Sequence, residues 1–404
     1  MSTIEPVIAG TEPPPAPSRL QSGIYFKRPG RCYRLVLINV RAGTPRHKAA
    51  AAIERMWMTL LELRRGIVQD LKPSRPTDPS LKVEVSQLTC LLGLGASLFD
   101  KYPAMKRPPQ VQPLGPQPFP SLRWVPEAER RPGEADLAVQ LIAETDLAVD
   151  QALVEMCMVL GATSPLELVT FHGGFNRRDD GRSWLGFLDG LNNIAPEQRA
   201  AVITAVGGNP SWMDAGTYMG VFRLDLDLHA WRGLSREHQE AIIGRDKLSG
   251  CPLERIDPPL NPVVASGCPV LGPRSRPAQF LNPPPPPAQQ TLLRESHIHR
   301  ANPNRGQPGR RDNNPILRQG YEFVEMLDTG RLRLGLNFVS FQSDLSSLTN
   351  ILVTPGWLGN TNFGGPADAR PGAPEPVRDL VRVIAGGYYA VPPDAMPFPG
   401  ANAF

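Results

Sequence analysis

The stretch Arg34-Leu-Val-Leu-Ile-Asn-Val40 sets the start of the fold, because its apolar and β-branched residues predict a buried strand. Beyond Pro45, apolar residues recur between Lys48 and Val68 at a spacing close to 3.6 residues. That spacing predicts an amphipathic helix directly after the strand. The first unit of the fold is therefore expected to be a strand followed by a helix.

The rest of the first half extends this unit with two strands and a second helix. Val83 to Leu94 predicts a strand that closes on Gly93-Leu-Gly-Ala-Ser-Leu-Phe99, where two glycines allow a tight backbone path. Asp136 to Ile142 predicts a third strand, and the strongly apolar run from Asp146 to Leu160 predicts a helix.

The second half repeats the plan with a strand, a helix, another strand and a short helix at 216–226, 235–243, 333–341 and 344–352. Ser235 offers an N-cap for the first of these helices, and Gly244 offers its C-terminal stop. Strands and helices interspersed twice over predict two α+β domains of similar build. No repeat in the sequence itself relates the halves, so the duplication rests on element order.

Length and charge point to a two-domain protein with a small-molecule partner. A chain of 404 residues exceeds the usual span of one core, and 41% hydrophobic residues can build two. With 43 basic against 39 acidic residues and no dense basic block, the charge gives no footprint for nucleic acid or a membrane surface. No apolar run reaches membrane-spanning length and no targeting signal stands at the N-terminus, so we expect a cytoplasmic protein.

The five cysteines are odd in number and widely spread, without a Cys-x-x-Cys pair, so we expect reduced thiols rather than a zinc site. Cys251 and Cys268 each stand in a Gly-Cys-Pro triplet that suggests a disulfide, but we expect them to be small loop residues. The 46 prolines cluster at 12–30, 103–133, 252–287 and 366–400, which predicts long surface loops or tails.

Two segments have the composition of a functional site. The segment from Phe171 to Ile194 is rich in glycine, interleaved with aromatic and charged residues, and predicted to lie between the two halves, where a cleft would form. Taken alone, its Gly186-Phe-Leu-Asp-Gly190 string indicates only a turn. Two of the six histidines stand in Ser296-His-Ile-His-Arg-Ala-Asn-Pro303, although a lone histidine is more often a surface or hydrogen-bonded core residue than a ligand.

Taken together, these segments resemble the dye-decolorizing (DyP-type) haem peroxidases. Gly186-Phe-Leu-Asp-Gly190 resembles the Gly-x-x-Asp-Gly signature of that family, and Ser296 to Pro303 resembles its haem-ligand segment. Ile316-Leu-Arg-Gln-Gly-Tyr321 resembles the segment that carries its distal arginine. The resemblance runs in order from about Arg34 to Pro393, with the most specific motifs after Phe171.

The resemblance implies an α+β fold of two ferredoxin-like domains, each an antiparallel sheet with helices, with haem bound mainly by the C-terminal half. It divides the chain into a proline-rich tail (1–30), an N-terminal domain (31–172), an interdomain loop with the Gly-x-x-Asp-Gly motif (173–215) and a C-terminal haem-binding domain (216–404).

On the proximal side, the resemblance implies that His297 ligates the iron of haem b. His299 is the alternative ligand, but the register with Ala301-Asn302-Pro303 favours His297. His299 also stands where many relatives carry arginine, so either Arg300 contacts a haem propionate or that propionate loses a partner. Asp344 is expected either to accept a hydrogen bond from the ligand imidazole or to cap a helix. Further cofactor contacts are implied for Gly186, Phe187, Gly190, Asn193 and Phe338.

On the distal side, the resemblance implies that Asp189 and Arg318 act on peroxide. A carboxylate near the iron can move a proton between the two peroxide oxygens, and a guanidinium can stabilise the departing hydroxide because it does not deprotonate. Arg310 and Arg311 are weaker rivals for the distal charge. Gln319-Gly320 follow Arg318, whereas some relatives place an asparagine there, so distal hydrogen bonding is expected to differ.

The implied function is a peroxidase that reduces hydrogen peroxide and oxidises dyes, phenols or other small organic donors. The alternatives are a dedicated haem-dependent oxidase or monooxygenase acting on one metabolite, a haem-binding protein without turnover, and a ferredoxin-like module without cofactor. Retention of Asp189 and Arg318 disfavours the carrier, which needs no proton shuttle. We expect no nucleic-acid or membrane partner, and homo-oligomerisation stays open.

Overall fold

The structure is a computed structural model that describes residues 19–24, 29–114, 123–176, 180–207, 209–269, 278–301, 316–352 and 380–404. Strands in this part are β1 (Cys32–Val40), β2 (Thr89–Gly95), β3 (Leu137–Ala143), β4 (Leu166–Phe175), β5 (Thr217–Leu226), β6 (Leu253–Asp257), β7 (Asn261–Val264), β8 (Leu317–Met326), β9 (Leu332–Gln342) and β10 (Val381–Val391). The α-helices are α1 (Arg46–Leu63), α2 (Ala96–Lys101), α3 (Asp146–Val159), α4 (Pro196–Ile203), α5 (Leu228–Gly233), α6 (Arg236–Ile243), α7 (Ala278–Leu281), α8 (Thr291–Arg294), α9 (His297–Arg300) and α10 (Ser346–Leu352). None of the helices in these ranges combines the length and apolarity needed to cross a bilayer.

Eight strands close into one antiparallel barrel in the order β1-β3-β2-β10-β5-β9-β8-β4, and β6 and β7 form a separate hairpin. Each half contributes a four-stranded sheet, β4-β1-β3-β2 from the first and β8-β9-β5-β10 from the second. The two sheets meet at narrow seams. One seam pairs β2 with β10 at Leu94↔Ala390 and Gly95↔Tyr389, and the other pairs β4 with β8 only at Phe175↔Glu322.

The barrel interior is a core to which both halves contribute. Tyr33 of β1 stacks on Tyr321 of β8, with ring centroids 4.3 Å apart and planes inclined by 12°. Leu35 and Phe341 are buried in the same cluster. Each fully buried apolar side chain of this size stabilises the fold by roughly 1.5–3 kcal/mol. The shared interior therefore holds the two sheets together although their seams contain few strand pairs.

The helices of the first half cover the outer face of its sheet. Helix α1 buries Ile53, Trp57 and Leu60, and α3 buries Val149 and Met156. Both helices were expected, α1 from its apolar spacing and α3 from its strongly apolar composition, and both are confirmed. Helix α1 ends earlier than the predicted Val68 because the chain turns at Gly66, whose φ is +79°.

Most of the predicted strands and helices of the second half are also confirmed. The strands expected at 216–226 and 333–341 are β5 and β9, and the helix expected from Asp344 to Leu352 is α10. Ser235 caps α6 by accepting a hydrogen bond from the His238 amide at 3.3 Å. Gly244 ends that helix with a φ of +86°, as predicted.

Two expectations about strands are wrong. The strand predicted from Val83 begins only at Thr89, because Ser86 and Gln87 turn the chain with φ angles of 42° and 59°. The segment Phe171 to Phe175 was expected in the loop between the halves, and it is instead the end of β4. Gly174 there has no room for a side chain, since a Cβ would lie 2.7 Å from Asn337 Nδ2. The expected domain boundary at 172 therefore falls inside a strand.

The expectation of reduced thiols at Cys251 and Cys268 is also wrong. The two cysteines form a disulfide with a Cα–Cα distance of 6.1 Å. The physical reason is the hairpin of β6 and β7. Cys251 precedes β6 and Cys268 follows β7, so the pairing of the two strands brings the cysteines together. The sequence hides this hairpin in a proline-rich stretch. Cys32, Cys90 and Cys157 are free thiols.

Candidate active site

The outer face of β8 carries the predicted distal residues. Leu317 and Tyr321 point into the barrel, so Arg318 and Gly320 between them face outward. The loop between β4 and α4 brings Asp189 over this face, with its Oδ2 atom 4.0 Å from the point where a Gly320 Cβ would stand. Burial lowers the pKa of Arg318, and the negative charge of Asp189 partly offsets that lowering. The predicted base and the predicted cation therefore share one face.

The same loop holds Arg318 in place. The Asn193 side chain donates from Nδ2 to the Arg318 carbonyl oxygen at 2.7 Å and accepts from the Arg318 amide at 3.1 Å. The guanidinium donates from Nη2 to the Asn192 carbonyl oxygen at 2.9 Å. Backbone and side chain of Arg318 are thus bound by two consecutive residues.

His297 begins helix α9 and lies within electrostatic reach of Arg318. Burial, with the Arg318 charge as a smaller contribution, lowers the pKa of His297 to about 3. Its imidazole is therefore neutral over ordinary pH. Burial also lowers the pKa of Arg318, yet both side chains keep some accessible surface. Desolvation by the surrounding protein is the main influence on the pKa of both groups.

His299 occupies the other side of α9. Successive residues of an α-helix are rotated by about 100°, so side chains two positions apart point in nearly opposite directions. His299 is only 6% exposed. This arrangement favours His297 over His299 as the histidine that faces Arg318. Arg300 forms an ion pair with Glu295 at 3.5 Å, and its contact with a propionate stays a prediction.

The comparisons with known proteins identify the family and the fold. A family model described as "Dyp-type peroxidase, C-terminal" matches residues 180–396, more than half of the chain. This chain belongs to the Dyp-type peroxidase family. The matched residues include Asp189, His297 and Arg318.

Individual relatives agree with the family assignment. The chain is 26% identical over 319 residues to a deferrochelatase of Escherichia coli O6:K15:H31. The matched region covers 75% of this chain and 64% of that protein. A deferrochelatase of Shigella flexneri serotype 5b is 27% identical, with 75% and 65% covered. The chain thus spans less than two thirds of the length of these curated relatives.

Solved structures share the fold. Ferric DtpA from Streptomyces lividans superposes with a TM-score of 0.68 at 22% identity, covering 95% of this chain and 94% of that one. A DyP-type peroxidase from Cellulomonas bogoriensis gives a TM-score of 0.67 at 21% identity, with 93% of each chain covered. The mixed helix and sheet architecture is therefore that of DyP-type peroxidases.

The glycines of the family signature form turns, and its phenylalanine packs in the core. Gly186 and Gly190 have φ angles of +84° and +72°, which residues other than glycine rarely adopt. Phe187 is buried edge-on against Trp231 at 6.2 Å between centroids, and Lys247 Nζ lies 5.6 Å from its ring. Contacts of these three signature residues with a cofactor remain predictions, whereas their structural roles are clear.

Phe338 and Asp344 belong to the β9 side of the site. Phe338 pairs across the sheet with Gly320 and is half-buried, so it lies on the face that carries Arg318. Asp344 Oδ1 accepts from the Ser346 amide at 2.7 Å, which is the role of a residue that caps the start of α10. A hydrogen bond from Asp344 to the ligand imidazole stays a prediction. The rival arginines Arg310 and Arg311 lie outside the described residues.

Two residues of the site were not singled out for a role from the sequence. Arg182 donates from Nη1 to the Gly186 carbonyl oxygen at 2.8 Å and from Nη2 to the Leu248 carbonyl oxygen at 2.7 Å, which ties the signature turn to a neighbouring loop. Asn176 donates from Nδ2 to the Gly320 carbonyl oxygen at 3.3 Å. Both residues lie in the glycine-rich segment from Phe171 to Ile194, in which no local pattern assigned either of them a role.

Proposed function

We propose that this protein is a haem-dependent peroxidase that reduces hydrogen peroxide and oxidises small organic electron donors such as dyes or phenols. The observation that carries the proposal is the placement of neutral His297 within reach of Arg318, whose sheet face also carries Asp189. Membership of the Dyp-type peroxidase family supports it.

The residues present fit haem b as the cofactor. A neutral, closely surrounded imidazole offers a lone pair to iron, and His297 is such a group. When bound, haem supplies an iron centre that transfers electrons from the donor to peroxide. Arg300 and Phe338 are proposed to contact the macrocycle.

Asp189 and Arg318 divide the proton and charge work. Asp189 is exposed in the described structure, so its carboxylate is free to approach a substrate on the β8 face. It would accept a proton from the inner oxygen of hydrogen peroxide and return it to the outer oxygen. Arg318 would stabilise the negative charge that develops on the departing oxygen, and its hydrogen bond to Asn192 orients it for that role.

We further propose that the two halves of the barrel are ferredoxin-like units and that the second carries most of the haem contacts. The matching order of strands in the two halves supports this division, with the first unit extended to the end of β4 at Phe175. We also propose a cytoplasmic protein without nucleic-acid or membrane partners. Its state of oligomerisation is left open.

An absorption spectrum of the haem-loaded protein, recorded before and after one equivalent of hydrogen peroxide, tests the function. We expect a Soret band that changes on mixing and returns when a phenol or dye is added. A carrier would show the band without the change, and a cofactor-free module would show no band. Loss of iron with release of free porphyrin would instead indicate the reaction implied by the name deferrochelatase, which the curated relatives carry.

A further inference from the structure

The edge of β8 beside Arg318 is satisfied by side chains instead of a strand. In an antiparallel sheet, alternate residues direct their backbone groups to the same edge. At the β4 edge these residues are Arg318, Gly320 and Glu322, and only Glu322 is paired with β4. Asn176 donates to the Gly320 carbonyl oxygen, and Asn193 pairs with both backbone groups of Arg318.

We infer that Asn193, assisted by Asn176, is a positioning residue that replaces the missing strand and holds Arg318 in place, rather than a contact of the haem. A primary amide carries a donor and an acceptor, as a peptide group does, so one side chain can mimic a paired strand residue. This inference rests on the proposed peroxidase function for its consequence, although the hydrogen bonds themselves do not.

The substitution of side chains for a strand keeps the site open. A continued β4 would place further Cβ-bearing residues beside Arg318 and Gly320, because paired strands align their side chains on each face. The asparagines satisfy the backbone of β8 without adding such residues. The carboxylate of Asp189 can then reach within 4.0 Å of the Gly320 Cβ position.

The hydrogen bonds from Asn193 to the Arg318 backbone, which we call the clamp, also couple the loop to the guanidinium. Asn192 accepts from Arg318 Nη2, Asn193 holds the Arg318 backbone, and Asp189 precedes both in the same loop. The position of the base relative to the cation therefore depends on Asn193. Removal of the Asn193 side chain should loosen Arg318 while leaving Asp189 and His297 chemically intact.

The first test uses the protein without haem and measures amide hydrogen exchange of residues 316–322. Asn193→Ala should raise the exchange rate of the Arg318 amide by about tenfold, since one hydrogen bond is lost. Gln198→Ala, which removes an exposed amide side chain from α4, is the matched control and should leave this rate unchanged. An unchanged Arg318 rate in Asn193→Ala would overturn the inference. If that variant does not fold, Asn193→Leu, which keeps a similar volume and removes both the donor and the acceptor of the amide, takes its place with the same criterion.

The second test measures fluoride affinity of the ferric, haem-loaded protein, because a bound fluoride accepts a hydrogen bond from a positioned guanidinium. Asn193→Ala should weaken fluoride binding by about tenfold with the Soret band retained, and Asn176→Ala should have a smaller effect of the same sign. Loss of haem from Asn193→Ala with normal Arg318 exchange would show that Asn193 contacts haem, which contradicts the clamp. If the spectrum of the haem-loaded wild-type protein did not change with peroxide, the proposed function would be refuted. The exchange rate of the Arg318 amide would still test the clamp.

Discussion

The two halves of the barrel have sheets of the same strand order but cover their outer faces differently. The first sheet lies beneath α1 of 18 residues and α3 of 14 residues. In the described part of the second half, no helix exceeds the eight residues of α6. The outer face of the second sheet therefore keeps Arg318 and Phe338 partly accessible. In the described residues, the two sheets thus differ in the helices that cover them and not in strand order, and the site lies on the sheet with the shorter helices.

The largest expected effect tests whether the second half alone holds the metal. His297→Ala should abolish axial ligation of haem, whereas His299→Ala should retain it, because His297 lies within electrostatic reach of Arg318 and His299 projects from the opposite side of α9. The Soret band and the spin state of the ferric protein report ligation. Haem loss from His299→Ala with ligation kept in His297→Ala would reverse the assignment made from the direction of α9.

The next effect concerns the base on the open face. Asp189→Asn should slow the peroxide-induced spectral change by about 10²- to 10⁴-fold with an intact Soret band, the range for loss of a positioned proton-transfer group. Glu197→Gln, an exposed carboxylate of α4, is the control. An unmoved rate in Asp189→Asn would reduce Asp189 to a turn residue.

A substitution under the covered face should affect stability instead of chemistry. Trp57 is a buried residue of α1 and is only 2% exposed, so Trp57→Ala should lower the free energy of unfolding by about 3–5 kcal/mol. Urea unfolding measures this loss. Met58→Ala on the same helix, at a side chain 36% exposed, should cost far less. The folded fraction of Trp57→Ala should react with peroxide normally, and a slowed reaction would mean that the two faces are coupled.

The smallest effect comes from a histidine on the first sheet. Burial, and secondarily the charge of Arg223, lower the pKa of His172 from 6.5 to about 4, and its Nε2 lies 2.7 Å from the Pro132 carbonyl oxygen. Between these two pH values, His172 is therefore protonated in the unfolded chain and neutral in the folded protein. Its stability contribution is present above pH 6.5 and lost as pH falls towards 4, by about 3 kcal/mol.

Unfolding of the haem-free protein by urea between pH 7 and pH 4 checks the expectation for His172. His172→Gln should flatten this pH dependence, and His47→Gln, at an exposed histidine of α1, controls for the loss of a histidine as such. An equally steep dependence in His172→Gln would assign the acid sensitivity to other groups.

The sequence predicted helices and apolar strands well, and the apolar pattern missed β4 and β8. Both strands contain glycine among polar or charged residues, which is uncommon in strands, so they resemble loops when periodicity alone is considered. Glycine serves close approach there, as at Gly174, where a Cβ would lie 2.7 Å from Asn337 Nδ2. The need for that approach arises from residues distant in sequence, which a local pattern cannot reveal.

The same limit applied to the site. Asp189, His297 and Arg318 stood out through motifs, and the structure brings them to one region. The bonds from Asn193 to Arg318 join residues 125 positions apart, so no local pattern indicates them. The disulfide was misjudged because the pairing of β6 with β7 was not visible between the prolines.

The place of β10 in the barrel has a consequence for how the chain matures on the ribosome. Strand β10 follows all the other described strands in the sequence, and it lies between β2 of the first half and β5 of the second. The first sheet can assemble early, since domains form from the N-terminus as they emerge. The second sheet cannot join it at β2 until β10 has left the exit tunnel. The barrel therefore closes only after β10 has emerged, and a nascent chain halted before residue 381 would lack the strand that links the two halves at this seam.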